Sequence, residues 1–250
     1  MSTRNNGARL LTTSSPAAPT SAVLVFHGGS ANSTMPVSRF APAVLRLIPV
    51  AWAIAAHVPA AAVYRLKFSV RGWNGDGAAV LGDARWAIDQ IAKDHPGLPI
   101  VVVGHSLGGR VAMHVVGSSS SADGSGDRSS VVGAVGLAPW VDPADPVDLL
   151  RGVPLGVVQG TRDRIVPEPS TRAWLARAAQ AGARIDSTLI DGAGHAMLRY
   201  FRRWHRLASD GVNTVLTTVE QPATRSSSSG CRAAPVVVGL YPNGSTGDRQ

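Results

Sequence analysis

Gly104-His105-Ser106-Leu107-Gly108 sets one serine between two glycines. A serine hydroxyl is a poor nucleophile at neutral pH. It needs a base, and the base needs a carboxylate to orient it. Histidines stand at 27, 57, 95, 105, 114, 195 and 205. His57 and His114 fall in helical patterns, His95 precedes Pro96 at a helix exit, and His205 sits among helix arginines. His105 cannot easily turn toward its own neighbour. His195 follows the apolar run Ile185 to Ile190 through Asp191-Gly192-Ala193-Gly194, which places it on a loop and makes it the candidate base. Asp163 follows Val157-Val158-Gln159-Gly160 in the same way, and the flanking Arg162 and Arg164 favour its ionised form. Alone it would read as a turn residue; after Ser106 and before His195 it reads as the orienting acid. The chemistry would be acyl transfer. That needs two amide donors for the oxyanion. The amide of Leu107 is one candidate. His27-Gly28-Gly29-Ser30 offers the second, with Gly29 preferred and Ser30 the alternative.

These groups must be positioned by regular elements. Ala22 to Phe26, Ile100 to Val103, Val131 to Leu137, Leu155 to Val158 and Ile185 to Ile190 are short apolar runs, and Ala62 to Phe68 alternates. Continuous Val/Ile/Leu runs suit strands buried on both faces. Between them, Ala78 to Asp94, Ser106 to Val116 and Ser170 to Ala181 carry helical spacing. Met35 to about Ala56 is helical in pattern but interrupted by Pro42 and Pro49, and His195 to about Thr218 closes the series as a mostly helical segment. Alternation of this kind predicts an α/β domain with a mainly parallel sheet covered by helices on both faces. Its functional groups should gather beyond the carboxyl ends of the strands. Ser106, Asp163, His195 and the Gly28-Gly29 turn all follow strands.

The chain has 250 residues, enough for one α/β domain. Residues 1–20 are polar and are expected to be a flexible N-terminal segment; 21–219 would form the catalytic domain. Residues 220–250, rich in Ser, Gly, Pro and Thr, are expected to be a disordered tail, with Val236 to Leu240 as a possible short strand. Hydrophobic residues are 44% and aromatics 5%, so the core is aliphatic. The single cysteine, Cys231, excludes an intrachain disulfide framework and a Cys-rich zinc site. No apolar run reaches the ~18 residues of a membrane span. With no apolar stretch of signal-peptide length at the N-terminus, a cytoplasmic location is expected. The net charge is +8. The arginines are spread along the chain, and the one dense cluster (Arg199, Arg202, Arg203, Arg206) has the spacing of a solvated helix face. No nucleic-acid motif accompanies it, so neither nucleic acid nor membrane is expected as a partner.

Together, His27-Gly28-Gly29, Gly104 to Gly109, Gly160 to Pro167 and Gly192 to His195 resemble the α/β-hydrolase superfamily, over roughly Ala22 to Thr218. Val70 to Gly75 and Leu137 to Trp140 look like a compact, capless actinobacterial type of serine hydrolase. The resemblance implies Ser-His-Asp catalysis through an acyl-enzyme, with no metal and no organic cofactor. Two departures are expected. Only about 20 polar residues precede the oxyanion loop, so the family's leading antiparallel strands should be missing and the sheet trimmed to about six strands. Only Trp140 to Gly152 separates the two strands between which many members carry a cap, so the site should be open. An open site points to a small, soluble acyl substrate. Met35, Trp73, Trp140 and Ile165, all in loops after strands, are the candidate substrate-binding side chains.

The leading reading is hydrolysis of a carboxylic ester. Thioester or lactone hydrolysis, acyl transfer and cofactor-free perhydrolysis would use the same triad, because fold does not choose among them. A non-catalytic hydrolase-like binding protein is disfavoured by the intact triad.

Overall fold

The structure is a computed structural model describing residues 1–119 and 131–220. Cys231, Val236 to Leu240 and the expected tail beyond Glu220 lie outside the described residues. Eight strands form one sheet: β1 (Ser2–Thr3), β2 (Arg9–Ser14), β3 (Ser21–Phe26), β4 (Ala61–Lys67), β5 (Ile100–His105), β6 (Val131–Leu137), β7 (Pro154–Gly160) and β8 (Arg184–Ile190). Their spatial order is β1-β2-β4-β3-β5-β6-β7-β8. β3 to β8 pair in parallel, while β1 and β2 pair antiparallel at one edge.

The helices are α1 (Pro42–His57), α2 (Ala78–Asp94), α3 (Leu107–Ser119), α4 (Glu168–Gln180) and α5 (Phe201–Glu220). Strand periodicity divides the core in two. Val23 and Val25 of β3, with Val101 and Val103 of β5, face one cluster containing Leu47, Ile54, Trp204 and Val212 of α1 and α5. Ala22, Leu24 and Phe26, with Ile100 and Val102, face the other, with Val80, Ile88, Val111 and Trp174 of α2, α3 and α4. Every residue of β3 and β5 is therefore buried, as the continuous apolar runs require. At the edge, β8 buries fully only Ile190.

Two expectations need correction. The sheet has eight strands and not six, and residues 9–14, expected in a flexible segment, form β2. A two-sided apolar run was not needed there, because a strand next to the sheet edge can dock on one anchor. Leu10 is the buried anchor. Polar bonds do the rest: Asp83 of α2, fully buried, accepts from Arg4 Nη1 at 2.9 Å and Asn6 Nδ2 at 2.7 Å. Its other oxygen takes the Ser69 amide at 2.7 Å and the Ser69 hydroxyl at 2.6 Å. The leading turn is thus tied to the loop after β4.

Pro42 opens α1 in the first turn, where the missing amide costs nothing. Pro49 lies inside the same helix, which runs through it to His57. The cost of an interior proline, about 3 kcal/mol from the lost bond and the ring clash together, is offset by burial of Leu47, Val50, Ala51 and Ile54 on the sheet. Between β6 and β7 the only regular structure is a 3-10 turn, Asp148–Leu150, so no cap domain is inserted there.

The strand order fixes where a site forms. β4 lies on one side of β3 and β5 on the other, so the chain reverses direction across the sheet there. Loops after β3 and β5 leave a crevice at such a switch point.

Candidate active site

β5 ends at His105 and α3 begins at Leu107, leaving Ser106 alone on the turn between them. Its φ is +55°, a left-handed conformation that costs a non-glycine residue about 1–2 kcal/mol. Three backbone bonds impose it: the Ser106 amide donates to Leu137 O at 3.1 Å, and the Ser106 carbonyl accepts from Arg110 at 3.1 Å and Trp140 at 3.0 Å. The turn is tight enough that a Cβ on Gly104 would lie 2.0 Å from Gly108 O. The serine sits at the N-terminus of α3, whose field favours developing negative charge.

His195 and Asp163 meet as their loops suggested. His195 Nδ1 lies 2.8 Å from Asp163 Oδ2, with the carboxylate side chain fully buried. The amides of Ile165 and Val166 donate to Oδ1 at 2.9 and 2.8 Å, and Gln159 Nε2 donates to Oδ2 at 3.1 Å. Burial alone would raise this carboxyl's pKa; the bonds from His195 and the two amides outweigh it and hold the group below its ordinary value. An ionised Asp163 keeps the proton of His195 on Nδ1 and leaves Nε2 as the basic nitrogen. His105 Nε2 lies 2.9 Å from the His195 carbonyl, which brings the loop of His195 onto the elbow. Among the described residues, no hydrogen bond joins Ser106 Oγ to His195 Nε2. Such bonds are often long without substrate and tighten on binding.

The Gly28-Gly29 turn lies over the elbow. A Cβ on Gly28 would be 3.3 Å from the Ser106 Cβ, and one on Gly29 would be 2.2 Å from Arg71 O. His27 supports this turn from below. Its Nε2 accepts the Phe68 amide at 3.1 Å, so Nδ1 carries the proton and donates to Gly28 O at 2.7 Å. Burial pushes its pKa down to about 4. The loop after β4 laces onto the same turn: Ser30 donates to Arg71 O at 2.9 Å, and Gly72 and Asn74 donate to Ser33 O and Ala31 O. The amide of Ser30 is therefore committed to Arg71, which removes it as the alternative oxyanion donor. Among the described residues, neither the Gly29 nor the Leu107 amide has such a partner.

The four expected substrate-binding side chains separate. Met35 and Ile165 are 62% and 71% exposed. Trp73 is buried instead, with the Arg110 guanidinium 4.2 Å over its ring and His114 beside it. It is an anchor of the core and not a wall of the site. Trp140 is partly buried, with the same guanidinium 4.9 Å from its ring. Arg110 is held by Asp145, 2.6 Å from Nη2, and His114 Nε2 lies 3.0 Å from the same oxygen. Sequence reasoning missed this Arg110–Asp145 pair. Its signal was faint: Arg110 stands four residues after Ser106 on a helix whose first two turns are otherwise small and apolar. Among the described residues, no group of three or more His, Cys, Asp or Glu side chains is placed to hold a metal ion.

The family model described as serine aminopeptidase, S33 (Hydrolase_4) matches residues 69–153, which include the elbow. No curated protein matches the chain. Among solved structures, an α/β serine hydrolase homologue from Coxiella burnetii aligns with a TM-score of 0.63 at 16% identity, over 85% of this chain and 95% of that one. A thermophilic esterase from Thermogutta terrifontis, with propionate bound, aligns with a TM-score of 0.62 at 18% identity, over 87% and 91%. An acetyl ester-xyloside bifunctional hydrolase from Caldicellulosiruptor lactoaceticus aligns with a TM-score of 0.61 at 16% identity, over 84% and 88%. The added antiparallel strands, the parallel sheet and the strand–turn–helix at Ser106 all fit this likeness: the chain has the α/β-hydrolase fold.

Proposed function

We propose that this protein is a serine hydrolase that cleaves a carboxylic ester of a small molecule through an acyl-enzyme. The observation that carries the reading is the 2.8 Å contact between His195 Nδ1 and Asp163 Oδ2, built beside a serine held at φ +55° on a strand–turn–helix. Ser106 Oγ attacks the ester carbonyl while His195 Nε2 takes its proton. The tetrahedral oxyanion receives the amides of Leu107 and Gly29. His195 returns the proton to the leaving alcohol as the C–O bond breaks, and Asp163 stabilises the imidazolium. Water then attacks the acyl carbon as His195 takes its proton, and His195 returns that proton to Ser106 Oγ as the Oγ–C bond breaks and the acid leaves. The esterases among the structural neighbours favour the ester over other acyl bonds. No helix among the described residues is long and apolar enough to cross a membrane. A cytoplasmic location belongs to this proposal and rests on the sequence.

The test is labelling with a fluorophosphonate probe and peptide mapping, with Ser106→Ala alongside. Labelling at Ser106, lost in the variant, together with turnover of 4-nitrophenyl acetate, is the expected result. A folded protein that neither labels nor turns over the ester overturns the reading.

A further inference from the structure

A cleft of about 730 Å³ is lined in part by Ala196 and Met197, the residues directly after His195. One wall is the first half of α1, with Pro42, Leu45 and Arg46; the other is the turn and helix after the base, with Met197, Leu198 and Phe201. Leu45, Leu198 and Phe201 are 44%, 70% and 48% exposed, so the lining is apolar and faces solvent. Single exposed apolar residues are ordinary, but a concave group of them next to a base is not.

Arg46 is the exception in that wall. It is partly buried, and among the described residues it has no hydrogen-bond or ion-pair partner. Nothing on its own helix can supply one, because α1 contains no Asp or Glu. The facing helix offers Arg202, Arg203 and Arg206, and its first acid, Asp210, lies 3.3 Å from His57 Nε2. The charge of Arg46 reaches the active site, where it opposes protonation of His105. A half-buried guanidinium without a counter-ion is costly unless something supplies one.

We propose that this cleft binds the non-reacting arm of the ester substrate, and that the arm is an aliphatic chain carrying a carboxylate that Arg46 holds. The proposal rests on the serine-hydrolase reading and narrows it to one substrate class, esters bearing a free acid. The planar guanidinium offers a carboxylate two parallel donors, and the apolar wall covers the chain between the acid and the ester. A single charge suits a monoanion better than a phosphate dianion. The other titratable side chain in the wall, His205, has its pKa lowered by burial and adds no second charge near neutral pH.

Binding is measured first, because it needs no catalysis. Calorimetry with octanoate and with octanamide, on the wild-type chain, Arg46→Met and Arg46→Lys, reads the site directly. Octanoate should bind about tenfold or more tighter than octanamide, the scale of a charge-assisted hydrogen bond. Arg46→Met should abolish that difference and Arg46→Lys should keep part of it. Shortening the acid from octanoate to hexanoate should weaken binding about three- to fourfold per methylene. The kinetic arm compares the 4-nitrophenyl hemiester of adipic acid with 4-nitrophenyl hexanoate. The ratio of their kcat/KM should favour the hemiester in wild type and fall to about one in Arg46→Met. Equal binding of acid and amide, or a preference that survives Arg46→Met in folded protein, overturns the proposal. So does cosedimentation with phosphatidylglycerol vesicles that free octanoate does not compete away, since the apolar and basic surface would then be a membrane contact. Octanoate binding without any ester turnover would leave the cleft assignment standing and remove the hydrolase reading instead.

Discussion

His105 Nε2 donates to the backbone carbonyl of His195 across 2.9 Å, so the residue just before Ser106 holds the loop that carries His195. Burial, then the neighbouring charge of His195, pushes the His105 pKa down to about 3, and the ring stays neutral with its proton on Nε2. Its Nδ1 is buried with no partner. The residue touches no reacting atom; it positions His195 relative to Ser106. His105→Ala should lower kcat about 10- to 100-fold with little change in KM, the penalty of a base displaced by about an ångström. His105→Gln keeps an N–H donor and should recover most of the loss. Steady-state kinetics on both variants separates this from a packing role, which glutamine would not rescue selectively.

Asp163→Asn tests the orientation of the base. In the wild-type site Oδ1 is filled by the Ile165 and Val166 amides, so the carboxamide oxygen should take that place and its NH₂ should face His195. An N–H facing Nδ1 forces the proton of His195 onto Nε2, where it cannot accept from serine. A fall in kcat of about 10⁴ is expected from the wrong tautomer. Gln159 adds a structural cost, because its Nε2 donates both to Oδ2 and to Val166 O, and turning Oε1 toward the new NH₂ would give up the Val166 bond. Thermal unfolding is therefore measured beside kcat, and the loss of kcat is read on folded protein. Equal activity of Asn and Asp at this position would remove Asp163 from the mechanism.

The pattern of what the sequence disclosed follows burial. Strands buried on both faces, such as β3 and β5, announce themselves as unbroken Val/Ile/Leu runs, and the loops after them carried Ser106, Asp163 and His195 into view. β2 left no such trace, because its register on β4 depends on one apolar side chain and on Arg4 and Asn6 reaching Asp83, far away in sequence. Trp73 illustrates the other limit. Position after a strand suggested a pocket wall, but whether a loop tryptophan faces ligand or core depends on Arg110 and His114, which arrive from α3. The cleft beside Arg46 was equally hidden, since its two walls come from α1 and from the residues after His195.

Two buried neutral histidines set the acid stability. His27 and His105 have pKa values near 4 and 3 in the folded chain, against 6.5 for the free side chain. Between those values the unfolded chain binds protons that the folded chain refuses. Stability is fully present above about pH 6.5 and falls as pH drops toward the folded values, by about 2–3 kcal/mol per pH unit from the two rings together. Asp163, whose pKa is lowered, adds stability above the ordinary carboxylate range and loses it only at still lower pH. Urea midpoints measured from about pH 7.5 to about pH 4.5 should trace this fall. His105→Gln should remove about half of the slope. A flat profile over that interval would mean that neither ring is held neutral.

Gly29 is where close approach and chemistry coincide. A side chain there would begin 2.2 Å from the Arg71 carbonyl and 3.3 Å from Leu107 Cδ1, so neither the loop after β4 nor the start of α3 leaves room for it. Gly29→Ala must shift the turn, and with it the amide proposed as the second oxyanion donor. Removing one oxyanion donor typically costs about 100- to 1000-fold in kcat. The same shift strains the Ser30–Arg71 bond, for which a loss of stability of about 1–3 kcal/mol is expected. The two effects can be told apart by fluorophosphonate labelling, whose phosphoryl oxygen needs the same donors. Labelling of the folded variant should slow in parallel with ester turnover. Retained labelling with reduced stability would leave Gly29 as a packing residue and move the second donor elsewhere on the turn.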